Sequence, residues 1–131
     1  MTDSFKEIIK TDKAPKAIGP YSVGVKTSSF IFTAGQLGIV PETGIIIEGG
    51  IENETRRALQ NIQNILEEAG SSLNLIVKTT VFLNDMNEFT RMNTIYSEFF
   101  TENPPARSTV QVAALPKGAV VEIEAIALVV P

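Results

Sequence analysis

The feature that most constrains the fold of this 131-residue chain is a C-terminal segment, Val120 to Val130, with the pattern of a strand that is apolar on both sides. One side would carry Val121, Ile123, Ala125, Ala127 and Val129, and the other Val120, Glu122, Glu124, Ile126, Leu128 and Val130. Alternate residues of a strand point to opposite sides of its sheet, and a strand with two apolar sides is typical of a sheet covered on both. The fold must therefore bury both faces of the sheet that contains this segment.

Two amphipathic segments are predicted to be helices. Glu52 to Ala69 carries apolar side chains at three- and four-residue spacing, and Gly70 is well placed to end the helix in a left-handed conformation. Asp85, with Glu88 three residues later, predicts a capping box at the start of the second helix. This helix must stop before Pro104-Pro105. Its predicted buried face consists of Phe89, Met92, Tyr96, Phe99 and Phe100.

The strands are predicted from β-branched and aromatic runs that lie between turn residues. They are Phe5 to Lys10, Val23 to Lys26, Phe30 to Ala34, Ile76 to Leu83, Arg107 to Ala114 and Val120 to Val130. Thr11 to Pro20 is interpreted as a loop, Thr27 to Ser29 as a hairpin connection and Pro41 to Gly44 as a turn. Leu115 to Gly118 is predicted to turn the last strand back beside the strand that begins at Arg107. The order β-β-β-α-β-α-β-β indicates one α+β domain over residues 1–131, with both helices on one face of the sheet.

The second apolar face of the sheet predicts an oligomer. Two helices can cover only one face, and this chain has no further element for the other. The alternative is a monomer whose last strand exposes some valines, because apolar atoms are common on protein surfaces.

The residue types that are missing exclude several kinds of chemistry. The chain has no Cys and no His, so it cannot use a thiolate nucleophile, a Ser–His–Asp triad or a zinc–sulfur site. We therefore expect no metal and no cofactor, and catalysis by Arg, Lys, Tyr, Glu, Asp, hydroxyls, backbone amides or water. A net charge of −4 argues against nucleic-acid binding. A polar segment from Met1 to Lys10 and the lack of roughly 20 consecutive apolar residues predict a cytoplasmic protein that binds no membrane.

Arg107 and Glu122 are the first candidates for a functional site. Arg107 begins a strand, and its planar guanidinium matches the geometry of a carboxylate. Glu122 and Glu124 share a strand face with apolar residues, where a carboxylate either pairs with a cation or has a shifted pKa. The alternatives are a solvated surface arginine and two glutamates that reach water at the sheet edge. A pairing between the Arg107 strand and a glutamate of the last strand is feasible if the two strands are neighbours.

Glycine-containing turns supply further candidates. Tyr21 follows the rigid turn Gly19-Pro20, and Gly35 ends a strand where a ligand could approach the backbone closely. A half-buried tyrosine and a simple strand exit explain these two features equally well. Gly49-Gly50 lacks the spacing of nucleotide-binding glycines, and the acidic residues that follow would repel a phosphate.

Several segments along nearly the whole chain, taken together in their order and spacing, resemble the Rid family of YjgF-type reactive intermediate deaminases, and its RidA-like branch in particular. The matching segments are Ala14-Pro15 through Tyr21, Thr33 to Gln36, Val77 to Leu83, Asn93 to Tyr96 with Phe99-Phe100, Pro105 to Val110 and Glu122 to Ala127. The resemblance implies a chorismate-mutase-like fold that assembles as a homotrimeric barrel. It also implies ligand sites in the clefts between subunits.

The resemblance further implies which residues form the site. Arg107 matches the arginine characteristic of the enamine/imine deaminases, and Tyr21, Gly35, Asn93 and Glu122 match other pocket positions. Two positions depart from the family pattern. Thr109 stands where Cys is frequent, and Ala34 stands where Ser is frequent, so a serine hydroxyl is lost while backbone contacts at both positions remain.

The implied activity is hydrolysis of 2-enamine and 2-imine acids, of the 2-aminoacrylate and 2-aminocrotonate type, to 2-oxo acids and ammonia, without a cofactor. Arg107 would fix the substrate carboxylate, Glu122 and backbone groups near Thr109 would place a water, and Tyr21 would shape the pocket. Three alternatives remain open: a non-catalytic binder of 2-oxo acids, a ribonuclease or translation inhibitor, and a structural or chaperone-like trimer. The missing histidine and basic groove argue against the ribonuclease.

Overall fold

A mixed seven-stranded sheet with two helices packed on one face is the frame of the computed structural model, which describes residues 5–130. Met1 to Ser4, where the polar N-terminal segment begins, and Pro131 lie outside the described residues. The strands are β1 (Glu7–Ile9), β2 (Gly24–Lys26), β3 (Phe30–Thr33), β4 (Gln36–Leu37), β5 (Ile39–Val40), β6 (Ile45–Ile46), β7 (Ile76–Leu83), β8 (Ala106–Gln111) and β9 (Val121–Leu128), and the helices are α1 (Gly50–Glu68) and α2 (Phe89–Phe99). No helix within the described range is long and apolar enough to cross a membrane.

The strands of the large sheet are arranged in the order β1-β2-β3-β9-β7-β8, and β4 continues beside β9. β7 and β8 are parallel because α2 connects them, whereas the other neighbours in this sheet are antiparallel. The prediction that the last two strands are neighbours is therefore wrong. The segment Leu115 to Gly118 does reverse the chain, but it carries β9 past β8 to the far side of β7. Turn residues specify a change of direction and not which strand lies alongside.

The predicted two-sided pattern of the last strand is confirmed for β9. Val121, Ile123 and Ala127 are fully buried against the helices, and Ala125 is 2% exposed. On the opposite face the apolar side chains are partly exposed to solvent in a single chain, and Leu128 is 39% exposed. Both helices lie on one side, as predicted, and leave this second face uncovered.

Helix α1 packs its apolar stripe directly onto the sheet. Its fully buried apolar side chains are Ile51, Ala58, Leu59, Ile62, Ile65 and Leu66. The helix begins at Gly50, two residues earlier than the predicted Glu52, and Gly70 follows its end with the predicted left-handed conformation, φ +83°. Close packing requires a glycine at position 38, because an added Cβ there would lie 2.6 Å from the Cα atom of Glu54.

The start of α2 differs from the predicted capping box. A 3-10 turn, Met86–Glu88, precedes the helix. The carboxylate of Asp85 accepts a hydrogen bond from the Asn87 N–H at 2.9 Å and so caps this turn rather than α2. The side chain of Glu88 contacts Arg91 instead of the backbone of Asp85. The extra turn separates Asp85 from the helix, which is why the expected reciprocal pair does not form.

A kink after β3 creates three short strands that the sequence pattern does not predict. The chain bends at Ala34-Gly35 and resumes as β4 beside β9. At the bend, the Thr33 hydroxyl accepts a hydrogen bond from the Ala125 N–H at 3.0 Å and replaces a ladder bond. The predicted turn Pro41 to Gly44 joins β5 and β6, where the Gly44 N–H donates to the Val40 carbonyl at 2.8 Å. Two-residue strands are too short to show a period of their own.

Candidate active site

Arg107 lies near the start of β8 with its side chain directed towards α2. Its Nη1 donates a hydrogen bond of 2.7 Å to the Asn93 side-chain oxygen. Its guanidinium carbon lies 4.6 Å from the ring centre of Tyr96 and 5.5 Å from that of Phe89. One amide and two aromatic rings of α2 thus surround the predicted carboxylate-binding group.

The positive charge of Arg107 has no acidic partner in the described part of the chain. The ion pairs found among residues 5–130 join Arg56 to Glu98 and Arg91 to Glu52 and Glu88. Arg107 is half-buried, and its polar partner is a neutral amide. A partly desolvated cation with neutral neighbours favours the binding of an anion.

Thr109 lies two residues further along β8, on the same side of the sheet as Arg107. It pairs in register with Val81, whose side chain is fully buried in the core. The Thr109 Oγ1 atom is buried and has no hydrogen-bond partner within residues 5–130. The remaining members of the predicted site lie elsewhere, away from Arg107, Asn93 and Thr109.

Tyr21, Ala34, Gly35 and Glu122 line a separate cleft of about 840 Å³. The loop from Thr11 to Pro20 forms one wall of the cleft and is held to α1 by a 2.8 Å hydrogen bond from the Asn64 amide to the Lys13 carbonyl. The Tyr21 hydroxyl accepts a hydrogen bond from the Ile18 N–H at 3.3 Å. The cleft is mainly apolar but includes the carboxylate of Glu122, which makes it suitable for a small organic molecule.

The Glu122 carboxylate lies in the space that a side chain at position 35 would occupy. A Cβ atom at position 35 would overlap the Glu122 Oε2 atom and lie 2.8 Å from its carboxyl carbon. Burial raises the pKa of Glu122, and the nearby charge of Glu124 raises it further. A carboxyl group with a raised pKa is a better proton acceptor once ionised, a property useful for activating water.

One chain does not bring Arg107 and Glu122 together. Arg107 pairs in register with Thr79, and Glu122 pairs with Phe82, three residues further along β7. An odd separation on one strand means that their side chains point to opposite faces of the sheet. The hypothesis that Arg107 pairs with a glutamate of the last strand is therefore wrong within a single chain. The shared face of Glu122 and Glu124 is confirmed by the same register.

The predicted residues thus lie in two separate groups, which we term candidate half-sites. The arginine half-site contains Arg107, Asn93 and Thr109, and the glutamate half-site contains Tyr21, Ala34, Gly35 and Glu122. Sequence reasoning assigned Phe89 and Tyr96 to the core and missed their contact with Arg107. Helical spacing was an available signal, since positions 89, 93 and 96 fall on one face of α2.

Acidic side chains within residues 5–130 form no cluster of three that could hold a metal ion. The groups that remain for ligand binding are a guanidinium with no acidic partner in the same described range, a buried hydroxyl and a carboxylate in a cleft. Together they define a small α+β protein suited to an organic anion.

Comparison with known proteins identifies the family. The model of the endoribonuclease L-PSP family matches residues 11–129, so the chain belongs to this family, which is also known as the YjgF or Rid family. A RutC family protein of Pyrococcus abyssi is 57% identical over 122 residues, which cover 93% of this chain and 96% of that protein. The 2-iminobutanoate/2-iminopropanoate deaminase of Mus musculus is 48% identical over 128 residues, covering 98% and 95%.

A solved structure supports the same relationship. The crystal structure of E. coli TdcF with bound serine is similar with a TM-score of 0.89 and 45% identity, covering 93% of this chain and 98% of that one. The mixed α+β fold with two helices and a sheet is therefore that of the family.

Proposed function

We propose that this protein is an imine deaminase that hydrolyses 2-enamine and 2-imine acids, of the 2-aminoacrylate and 2-aminocrotonate type, to 2-oxo acids and ammonia. Relatives at 46–48% identity bear the name 2-iminobutanoate/2-iminopropanoate deaminase. Those substrates carry a carboxylate beside a C=N bond. The proposal assigns one half-site to each of these two groups.

The observation that carries the proposal is the charge of Arg107, which pairs with no acidic residue among residues 5–130. A half-buried guanidinium oriented by Asn93 and stacked on aromatic rings has hydrogen-bond donors left for a planar carboxylate. The bound serine of TdcF is itself an amino acid with a carboxylate, which fits a ligand of this class. Arg107 would hold the substrate in both the ground state and the transition state.

Glu122 would orient the attacking water in the glutamate half-site. Its raised pKa suits a group that accepts a proton from water and returns it to departing ammonia. The backbone near Thr109 would help to place the water, Gly35 leaves room for the Glu122 carboxylate, and Tyr21 shapes the pocket. Ala34 makes this wall apolar.

The reaction needs no redox step. Water adds to the electrophilic imine carbon, a proton moves to nitrogen, and the C–N bond of the tetrahedral intermediate breaks as the carbonyl forms. The products are one 2-oxo acid and one ammonia for each imine and water consumed. Fixing the carboxylate and the water in the correct relative position supplies the main catalytic effect.

A homotrimer would unite the two half-sites. Arg107 and Glu122 point to opposite faces of one sheet, so a complete site needs the arginine half of one copy and the glutamate half of another. The uncovered face, which includes Leu128 and the half-buried Ile126, offers the apolar surface for such contacts. A closed trimer gives every copy an equivalent pair of neighbours.

The ribonuclease activity in the name of the family has weaker support in this chain. The sequence has a net charge of −4 and no His, so it lacks both an electrostatic footprint for RNA and the usual acid–base group. The half-sites described above instead suit a small carboxylate.

A coupled assay tests the proposed function. A threonine dehydratase generates 2-aminocrotonate, and formation of 2-oxobutanoate is timed with and without the protein. The proposal predicts faster 2-oxobutanoate formation with the protein. A protein that binds 2-oxobutanoate tightly but never accelerates its formation would instead be a non-catalytic metabolite binder.

A further inference from the structure

Tyr96 contacts Arg107 but has no part in the proposed chemistry. Its side chain is 5% exposed, and its ring centre lies 4.6 Å from the guanidinium carbon. At this distance the negative face of an aromatic ring attracts a cation. A group buried this deeply does not reach the substrate, so its influence must act through Arg107.

The ring of Tyr96 has two contacts besides the one with Arg107. Its hydroxyl forms a 2.7 Å hydrogen bond with the hydroxyl of Thr79, a fully buried residue. Thr79 is the residue of β7 that pairs in register with Arg107 itself. The ring of Phe100 packs against Tyr96 with its centre 4.6 Å away. These contacts fix the position of the ring relative to the start of β8.

The neighbours of Arg107 hold it without cancelling its charge. Burial raises the pKa of the Tyr96 phenol, so the hydroxyl stays neutral across the physiological range. Asn93 contributes an amide oxygen rather than a carboxylate. A carboxylate in either position would compete with the substrate for the guanidinium, whereas a ring and an amide leave its charge available.

We propose that Tyr96 is a positioning residue for Arg107, whose ring, held by Thr79, keeps the guanidinium oriented to receive the substrate carboxylate. The identity of that ligand rests on the proposed function, but the effect on Arg107 does not. Together with Asn93, Tyr96 forms a charge-neutral cradle that limits the rotation of the arginine before any ligand arrives.

Three variants distinguish a loss of Arg107 orientation from a general loss of packing in the core. Tyr96→Leu removes the ring, and Tyr96→Phe keeps the ring but loses the bond to Thr79. Phe99→Leu is the control, because Phe99 is a half-buried aromatic residue of the same helix that packs on the core and is not one of the two rings beside Arg107. Thermal unfolding verifies that each variant is folded.

Two measurements are made on each variant: the affinity for 2-oxobutanoate, and the side-chain NMR signals of Arg107 in ¹⁵N-arginine-labelled protein without ligand. Tyr96→Leu should bind 2-oxobutanoate roughly 2- to 13-fold more weakly, the range expected when binding must newly order one flexible side chain. Its Arg107 Nε–H signal should lose the ring-current shift and show faster side-chain motion. Tyr96→Phe should lose much less affinity than Tyr96→Leu, and Phe99→Leu should retain the Arg107 signal of the wild type.

An Arg107 signal in Tyr96→Leu with the shift and mobility of the wild type would overturn the positioning role. Equal affinities of Tyr96→Leu and Phe99→Leu would do the same. If the wild type itself binds no 2-oxobutanoate, the proposed function fails, while the NMR comparison still decides whether Tyr96 orients Arg107.

Discussion

At the scale of single residues, Arg107 and Glu122 have different predicted roles. Arg107 is surrounded by neutral groups and is proposed to hold the substrate, whereas Glu122 lies in the cleft and is proposed to act on water. Substitutions should therefore separate ligand binding from turnover.

Arg107→Ala should lose most 2-oxo acid binding and most turnover together. Loss of a charge-assisted hydrogen bond costs about 1.5–3 kcal/mol, and the misplaced substrate reduces the rate further. Arg107→Lys should not restore function, because an ammonium lacks the planar fork and does not stack on Tyr96 in the same way. Binding measurements and the coupled assay test both variants, with sedimentation confirming assembly. Normal imine hydrolysis by correctly assembled Arg107→Ala would rule out Arg107 as the group that binds the substrate carboxylate.

Glu122→Gln should spare 2-oxobutanoate binding far better than it spares turnover. The pKa of Glu122 is raised by burial, so protonation of the wild-type group begins at a higher pH than for a free glutamate. If its ionised form orients the water, wild-type turnover should fall as the pH is lowered through this raised pKa. The pH profile of Glu122→Gln should lack this fall in turnover at low pH. If the fall is unchanged in the variant, the group that causes it is not Glu122.

At the scale of secondary-structure elements, Glu54 connects α1 to the start of β9. Its side chain is 6% exposed and accepts a 2.9 Å hydrogen bond from the Val120 N–H. Burial raises the pKa of Glu54, and the charge of Glu88 adds to this effect. A raised folded-state pKa means that the folded protein holds this proton more tightly than the unfolded chain does. The contribution of Glu54 to stability is then largest in acid and is lost as the pH rises through the folded pKa.

Two Glu54 variants test this account by thermal unfolding. Glu54→Gln keeps an oxygen for the Val120 N–H without the buried charge, so its melting temperature relative to wild type should increase from acidic to neutral pH. Glu54→Ala leaves the N–H without its partner and should destabilise the protein by about 1–3 kcal/mol. A Glu54→Gln difference that is the same at every pH would show that ionisation of Glu54 does not affect stability.

The elements that the sequence predicts best are those with a long, regular pattern. The stripe of α1 and the alternation of β9 span enough residues to fix the helix, the strand and the buried side of each. Local residues do not determine the partner of a strand, which is why β8 and β9 were expected to be neighbours although β7 separates them. The kink at Ala34-Gly35 depends on a hydrogen bond between Thr33 and Ala125, residues far apart in sequence.

Prediction of the candidate site from the sequence has the same limit. Residue types indicated a carboxylate-binding arginine and a glutamate, but only the strand register shows that they lie on opposite faces. The cradle around Arg107 depends on how α2 packs over β8, which a helical pattern alone does not specify.

At the scale of the whole molecule, the uncovered sheet face and the proposed sharing of the site between subunits both lead us to expect a trimer. We expect sedimentation to give a mass about three times the 14.2 kDa chain, independent of protein concentration. Leu128→Asp places a charge on the open face and should weaken assembly and activity together. A concentration-independent monomer would contradict the trimer.

The most direct test of a site shared between subunits is to mix two variants that have each lost most of their activity. Arg107→Ala and Glu122→Gln are unfolded together in equal amounts, refolded and assayed for imine hydrolysis. In a randomly assembled trimer, a subunit with an intact Arg107 meets a neighbour with an intact Glu122 at about one quarter of the interfaces, so about a quarter of the wild-type activity should return. Activity no higher than that of the separate variants, in mixed trimers confirmed by mass spectrometry, would contradict a site formed from two copies of the chain.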